Sequence, residues 1–453
     1  PSPQALSLLG NLLLSVGLAA CADVPSTGGR SAPSGSAEDR MPPPVLVSPL
    51  GAYLAGQVAR ADNDTGAAAQ FFARALADDP GNSLLIHRTM VLEAGDGRME
   101  EAVALASRLV QSEPKDGVAN LLLATAALHK GDPAAAVERL QVIPHTGLNG
   151  LLVPMLEAWA EFGAGKSDAA LTALKGLQEN SAFAPFYQFH LALLQDLGGH
   201  PDLAEAAYKK SMAVSAGGAL RVVEAYGNFL ERQGRPDEAK QVYEDYLKRS
   251  PDSPGVSSLL AGLGKGAKPK PLIGDAVAGA AEAFYGTSAA VTRDDGGNAT
   301  EIFVHFALYL RPDFELARTL LADIFEANHR WAEAIEVYKE ITRSSPYSPS
   351  ARLRIAWALS QTKHTKEEIE ILKQNAARLV RAVFDRQRRC SEGGSGRLSR
   401  GREAMCPLVA DLNPDRGHLK VLRIDDVEPW KARPNTLLEV GDLLSDLQNR
   451  MKP

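Results

Sequence analysis

The sequence contains few cysteines and few aromatic residues. Three cysteines occur in 453 residues, Cys21, Cys390 and Cys406, with no CxxC pair and no Cys and His cluster at zinc-ligand spacing. We therefore expect no metal site. Aromatic residues make up only 6% of the chain, which disfavours β-sheets, because strands are rich in aromatic and β-branched side chains. The composition favours an all-α fold.

Positive charge is not in excess either. The formal net charge is -6, so the chain lacks the basic surface that binding to nucleic acid normally requires. We expect no nucleic-acid partner. The hydrophobic content of 45% excludes a wholly disordered chain.

Motifs for catalysis are missing from the sequence. It has no GxSxG and no HExxH pattern, and its nine histidines are scattered. Gly165-Lys166-Ser167 matches the end of a phosphate-binding loop, but Ala160 stands where that loop requires an earlier glycine. We interpret it as a turn. The sequence thus predicts no catalytic residue, no cofactor and no small-molecule substrate.

An uncharged apolar stretch covers residues 6–20 and ends in small residues before Cys21. It is shorter than the roughly 20 apolar residues of a membrane span and is typical of a signal peptide. Residues 21–48 are rich in Ser, Gly and Pro, the composition of a flexible tether. We expect the natural N-terminus, with a basic segment, to precede Pro1.

Leu18-Ala19-Ala20-Cys21 resembles the lipobox of bacterial lipoproteins. The resemblance implies that Cys21 carries a lipid and anchors the protein in the bacterial cell envelope, and Ala22 implies the outer membrane rather than the inner one. The alternatives are an ordinary cleaved signal with an incidental cysteine, which would leave a soluble periplasmic protein, or a buried helix.

Prolines recur at intervals of about 34 residues, from Pro80 to Pro114 and from Pro312 to Pro346. This period, with a small residue at each helix crossing and an aromatic residue beside it, resembles the tetratricopeptide repeat. The resemblance implies an all-α superhelical solenoid of antiparallel helix pairs, which binds other proteins. The segments that match best contain Gly56, Ala68, Phe72 and Ala75; Gly227, Leu230, Ala239 and Tyr243; and Ala322, Phe325, Ala334 and Tyr338.

About nine repeats are predicted, in two arrays at 49–251 and 275–375. Residues 252–274 between them are rich in Gly, Lys and Pro. They are predicted to be a linker at which the arrays pivot, or else an ordered loop packed on the solenoid. Residues 376–433 form an irregular Arg-rich segment, interpreted as disordered, as a reading-frame slip or as a basic docking tail. Residues 434–453 resemble a partial repeat, so we expect the natural chain to be longer.

The first helix of each pair lines the groove of tetratricopeptide proteins. Mapped by this resemblance, an apolar groove for a protein or peptide partner contains Leu152, Met155, Trp159, Phe162, Phe186, Phe189 and Leu193, followed by a polar stretch with Arg221, Glu224, Asn228 and Glu231. The alternative is that the apolar residues belong to the core. The predicted function is a membrane-anchored scaffold without catalysis; the rival is the docking arm of an enzyme whose catalytic domain is missing from this chain.

Overall fold

The computed structural model describes residues 48–62, 64–215, 217–266, 268–291, 297–362 and Ile371. Within these ranges the chain forms eighteen α-helices and no strand. Within the described residues, the chain from Ser48 onward forms one compact unit. Cys21, the predicted tether, the Arg-rich segment and the partial repeat lie outside the described residues.

Six antiparallel helix pairs build the first array, which includes two short 3-10 turns at Gly176–Glu179 and Ser181–Phe183. Its helices are α1 (Pro49–Ala61), α2 (Thr65–Asp78), α3 (Ser83–Gly95), α4 (Met99–Ser112), α5 (Gly117–His129), α6 (Pro133–Leu140), α7 (Asn149–Gly163), α8 (Ser167–Lys175), α9 (Ala184–Leu197), α10 (Pro201–Val214), α11 (Leu220–Arg232) and α12 (Pro236–Arg249).

A second array follows a single short helix. That short helix is α13 (Pro254–Gly262). The second array contains α14 (Ala276–Val291), α15 (Gly297–Leu310), α16 (Glu315–Ala327), α17 (Trp331–Lys339) and α18 (Ser348–Gln361). Within each array, consecutive helices pack on one another, as expected for a solenoid. The prediction of an all-α solenoid of helix pairs is confirmed.

Local sequence explains where the helices begin and turn. Asp64 caps α2, its carboxylate accepting a hydrogen bond of 2.8 Å from the backbone N–H of Ala67. Between the helices of a pair, Gly131 and Gly199 have φ of +76° and +78°, a conformation that glycine adopts without a steric penalty. The corresponding turn between α16 and α17 places His329 at φ +60° instead.

The small residues at the helix crossings act as the repeat pattern predicts. Gly56 of α1 lies against the Phe72 ring of α2, and a Cβ added at Gly56 would lie 2.8 Å from that ring. Gly227 of α11 lies closer still to the Tyr243 ring of α12, which an added Cβ would overlap. Both rings are completely buried. The two helices of a pair can approach closely because the crossing residue has no side chain.

The segment predicted as a linker is in contact with the first array. Helix α13 packs on α11 and α12. Beyond it, the Asn228 side-chain amide donates a hydrogen bond of 3.0 Å to the carbonyl oxygen of Lys270, and Ile273 is buried. This arrangement corresponds to the alternative of an ordered loop on the solenoid, although the domain boundaries themselves stay a prediction.

Helices α14 and α15 lie on the inner face of the first array. α14 packs against α7 and α9, while α15 packs against α3 and α5. These four are the first helices of their pairs, which line the groove. The first array therefore holds a helix pair of its own chain in its groove.

Candidate functional site

Two of the predicted groove residues lie against α14, Trp159 beside Gly279 and Phe186 beside Gly286. Leu152, Met155 and Trp159 on α7 are 0% exposed, and Phe189 and Leu193 on α9 are 7% and 2% exposed. Phe162 and Phe186 are half-buried. The structure thus brings the seven residues to adjoining helices, but it buries five of them. That a partner contacts them stays a prediction, and it requires α14 to leave.

α14 contacts the groove through small residues. Gly279 lies flat against the Trp159 ring, so that any Cβ at this position would overlap the indole. A Cβ added at Gly286 would lie 3.6 Å from the Phe186 ring, and one added at Gly163 of α7 would lie 3.0 Å from the Cβ of Ala276. Large side chains of the groove therefore pack against the bare backbone of α14.

Trp159 is fixed by a buried histidine. Its indole Nε1–H donates a hydrogen bond of 2.9 Å to Nδ1 of His190, which is 1% exposed. Because Nδ1 accepts, the ring is neutral and its proton is on Nε2. Burial lowers the pKa of His190 to about 4, which keeps the ring neutral at physiological pH.

A buried ion pair connects α11 to α14. The Arg221 guanidinium donates hydrogen bonds of 2.8 and 2.5 Å to the two carboxylate oxygens of Glu282, which is 1% exposed, and one of 2.6 Å to Glu224. The Tyr347 hydroxyl donates to Glu224 at 3.4 Å. Burial raises the pKa of Glu224, although the nearby guanidinium of Arg221 opposes this shift. The polar stretch predicted from the sequence thus serves, in part, to hold α14.

Aromatic contacts hold α15 at the other end of the groove. The rings of His129 on α5 and Tyr309 on α15 are stacked with centroids 4.1 Å apart. The His305 ring lies against the backbone of Gly97, whose φ of +76° suits glycine. The hairpin of α14 and α15 therefore touches the groove from α3 to α11.

A cavity of about 500 Å³ lies where α15 to α18 meet the turn after α3. Its walls include Asp96, His305, Arg330 and Glu333. The guanidinium of Arg330 forms ion pairs with Glu333 and, at 2.7 Å, with Glu301. Burial raises the pKa of Asp96 and lowers that of His305 to about 4. The charges of the cavity are thus paired mainly with one another, which favours a structural role.

The described residues offer neither a metal site nor a membrane-spanning helix. They contain no group of three or more His, Cys, Asp or Glu side chains placed to hold a metal ion. No helix within the described ranges combines the length and the apolar composition that a membrane span requires.

Sequence reasoning missed the role of α14. The helix is buried around most of its circumference, including Gly279, Ala280, Ala281, Ala283 and Phe284. A signal for this was present, because residues 276–291 contain one charged residue, Glu282, and are otherwise mostly apolar around the helix, which is typical of a helix surrounded by protein. Gly279 and Gly286 lie inside this helix, where glycine lowers stability, and they indicated a close approach of other side chains to its backbone.

Three segments of the chain match models of the tetratricopeptide repeat: residues 93–160, 220–263 and 304–371. The comparison with curated proteins gave no match. Among solved structures, the MamA protein is 22% identical, with 40% of this chain and 97% of that chain covered and a TM-score of 0.29. A tetratricopeptide repeat protein from Parabacteroides merdae is 12% identical, with coverages of 72% and 98% and a TM-score of 0.27.

Proposed function

Because the chain contains tetratricopeptide repeats, which form protein-interaction scaffolds, we propose that it is a non-catalytic scaffold of the bacterial cell envelope, anchored by a lipid on Cys21. The observation that carries the scaffold function is the stack of helix pairs with an aromatic inner face around Trp159 and Phe189. Rigid aromatic side chains in such a surface bind partners at a low cost in conformational entropy.

The lipid anchor rests on the sequence alone. Leu18-Ala19-Ala20-Cys21 supplies the small residues and the cysteine of a lipobox, and the Ser, Gly and Pro-rich residues that follow separate it from the first helix at Pro49. A tether of this composition behaves as a flexible coil. It would let the solenoid face the periplasm while the lipid stays in the membrane, in our proposal the outer membrane.

The anchor is tested by labelling cells with radioactive palmitate. We expect label on the parent protein and none after Cys21→Ser, with the variant recovered in the soluble periplasmic fraction. Cys390→Ser is the matched control and should keep the label. An unlabelled parent protein would instead favour a soluble periplasmic scaffold.

Partner binding is tested by chemical cross-linking in native membranes, affinity capture of the full chain and mass spectrometry. We expect the same partner in repeated captures and its loss when the groove is altered. Trp159 is not a suitable position for this alteration, because the side chain is buried and truncating it also removes core packing. Substitution of the half-buried Phe186 by Ala is the gentler probe, with the exposed Leu203→Ala as its control.

A further inference from the structure

The contacts of α14 show which kind of ligand the groove accepts. Gly279 lies on Trp159, Gly286 lies beside Phe186, and the carboxylate of Glu282 binds Arg221. These α14 residues are three and seven positions apart on one helix, so they share one face. The groove is therefore shaped for an α-helix with a face of small residues and one acidic residue, and not for an extended peptide.

Building on the scaffold function proposed above, we propose that α14 is a built-in occupant of this groove and that the external partner is a helix of the same chemistry which takes its place. The partner helix carries Gly or Ala where α14 has Gly279 and Gly286, and a carboxylate where α14 has Glu282. Competition between the two helices regulates binding, because a partner gains access only when α14 has moved out.

The α14–α15 pair carries buried polar atoms that lack hydrogen bonds. Within the described residues, Oγ1 of Thr287 and of Thr300 and Nε2 of His305 are buried without a hydrogen-bond partner. A buried polar atom without a partner costs free energy, which lowers the stability of this helix pair in its present packing. Gly279 and Gly286 also lower the intrinsic stability of the helix. We therefore infer that α14 binds the groove less tightly than a helix that makes the same contacts and lacks these unpaired groups and glycines.

The chain connection is compatible with such an exchange. Residues 263–275 join α13 to α14 and contain Gly264 and Gly266 with φ of +70° and +94°, with open space around both. Among the described residues of this connection, Ile273 is buried, the carbonyl oxygen of Lys270 accepts a hydrogen bond from Asn228, and the ammonium of Lys268 donates one of 3.3 Å to the carbonyl oxygen of Arg232. Movement of α14 therefore has to be accommodated around Gly264 and Gly266, on the α13 side of these contacts.

The test uses the full chain and a fluorescent synthetic peptide of residues 274–291 as the probe. A Cβ added at Gly163 would lie 3.0 Å from the Cβ of Ala276, closer than the roughly 3.5–4.5 Å between the Cβ atoms of a disulfide. A shift of about 1 Å between the two helices would therefore let Gly163→Cys with Ala276→Cys form a disulfide that locks α14 onto α7. We expect the oxidised double variant to bind the peptide at least about tenfold more weakly than the same protein after reduction, because the locked groove has no open state. Gly163→Cys alone is the control and should not respond to reduction.

A second variant is designed to displace α14 from the groove. Gly279→Leu in the chain places a side chain where the Trp159 ring lies, and we expect it to strengthen peptide binding by about tenfold or more. Gly262→Leu, at a position with no heavy atom within 4 Å, is the control and should leave binding unchanged. A peptide in which Glu282 is replaced by Gln should bind at least about fivefold more weakly, since Arg221 then loses its charged partner.

Equal binding by the locked and reduced forms, or no binding by any folded form, overturns the proposal. If Gly279→Leu does not fold, as judged by circular dichroism, the locked and reduced forms decide alone. A chain that captures a partner from membranes equally well in both forms but never binds the peptide keeps the scaffold function and excludes helix exchange in the groove. A chain that binds the peptide but captures no partner contradicts the scaffold function instead.

Discussion

Two tryptophans occupy the same position in two repeats and have different surroundings. Trp159 on α7 and Trp357 on α18 each follow a buried alanine at the helix crossing, Ala158 and Ala356. Both therefore point toward the groove side of their array. Trp159 is 0% exposed, whereas Trp357 is 54% exposed. The repeat thus determines where a side chain points, and the helix across the groove determines whether it is buried.

The difference arises from α14. It places the backbone of Gly279 against the Trp159 indole, and His190 accepts the indole hydrogen bond. Groove-facing aromatic residues in this chain therefore differ in exposure and in role. Those on α7 and α9 stabilise the contact between the two arrays, and Trp357 is accessible to other molecules.

The largest expected effect separates the two tryptophans directly. Trp159→Ala should lower the free energy of unfolding by about 3–5 kcal/mol, because it leaves a cavity between α7 and α14. Trp357→Ala should change it by about 0.5 kcal/mol or less, as is usual for exposed positions. Urea unfolding followed by circular dichroism measures both. Similar losses of stability for the two variants would contradict the different burial of Trp159 and Trp357.

The next effect concerns the charged contact of α14. Glu282→Ala should lower the free energy of unfolding by about 3 kcal/mol, since it leaves the buried Arg221 without its main partner. Asp245→Ala removes an exposed pair with Lys248 and is the control, with little expected loss because solvent screens this pair. A loss as small as that of the control would mean that the contact between α11 and α14 contributes little.

The buried histidine beside Trp159 predicts a dependence on pH. The pKa of His190 falls to about 4 on folding, from an ordinary value of 6.5, so between these pH values the unfolded chain binds the extra proton. The folded state consequently loses stability as the pH falls through this window, by up to about 3 kcal/mol. His190→Gln keeps an acceptor for Trp159 and cannot take up this proton.

The stability difference between the parent protein and His190→Gln should therefore shrink, or change sign, as the pH falls from about 7 to about 4.5. Urea titrations of both proteins at several pH values measure it. His87→Gln, at a half-exposed position, is the control and lacks the depressed pKa. A difference between the parent and His190→Gln that stays constant with pH would show that the ring is not buried in the neutral form.

The smallest expected effect concerns the turn between the two helices of a repeat. His329 adopts φ +60° in a turn where five pairs of the first array, from α3–α4 to α11–α12, have a glycine of positive φ. His329→Gly should raise the free energy of unfolding by up to about 1 kcal/mol, because a side chain is strained in this conformation. Gly131→Ala, in the equivalent turn, should have the opposite sign. Thermal melting of both variants measures the effect, and a destabilised His329→Gly would contradict it.

The sequence predicted contacts within and between neighbouring repeats. Gly56 with Phe72 and Gly227 with Tyr243 recur at fixed spacing, so a periodic pattern reveals them. The contact of Gly279 with Trp159 joins residues more than one hundred positions apart and occurs once, so no periodicity reports it. The same limit explains why Arg221 was predicted as part of a polar groove, while its partner Glu282 on another array was not.

The occupation of the first groove by α14 is tested most directly by disulfide formation in the Gly163→Cys, Ala276→Cys variant of the folded full chain. Intact mass and non-reducing gels report whether the two new thiols have joined. We predict nearly complete intramolecular oxidation under mild conditions, because the two Cβ positions, 3.0 Å apart, need to separate by only about 1 Å to reach disulfide geometry. Two free thiols in a folded protein would contradict this arrangement and the account of the groove that depends on it.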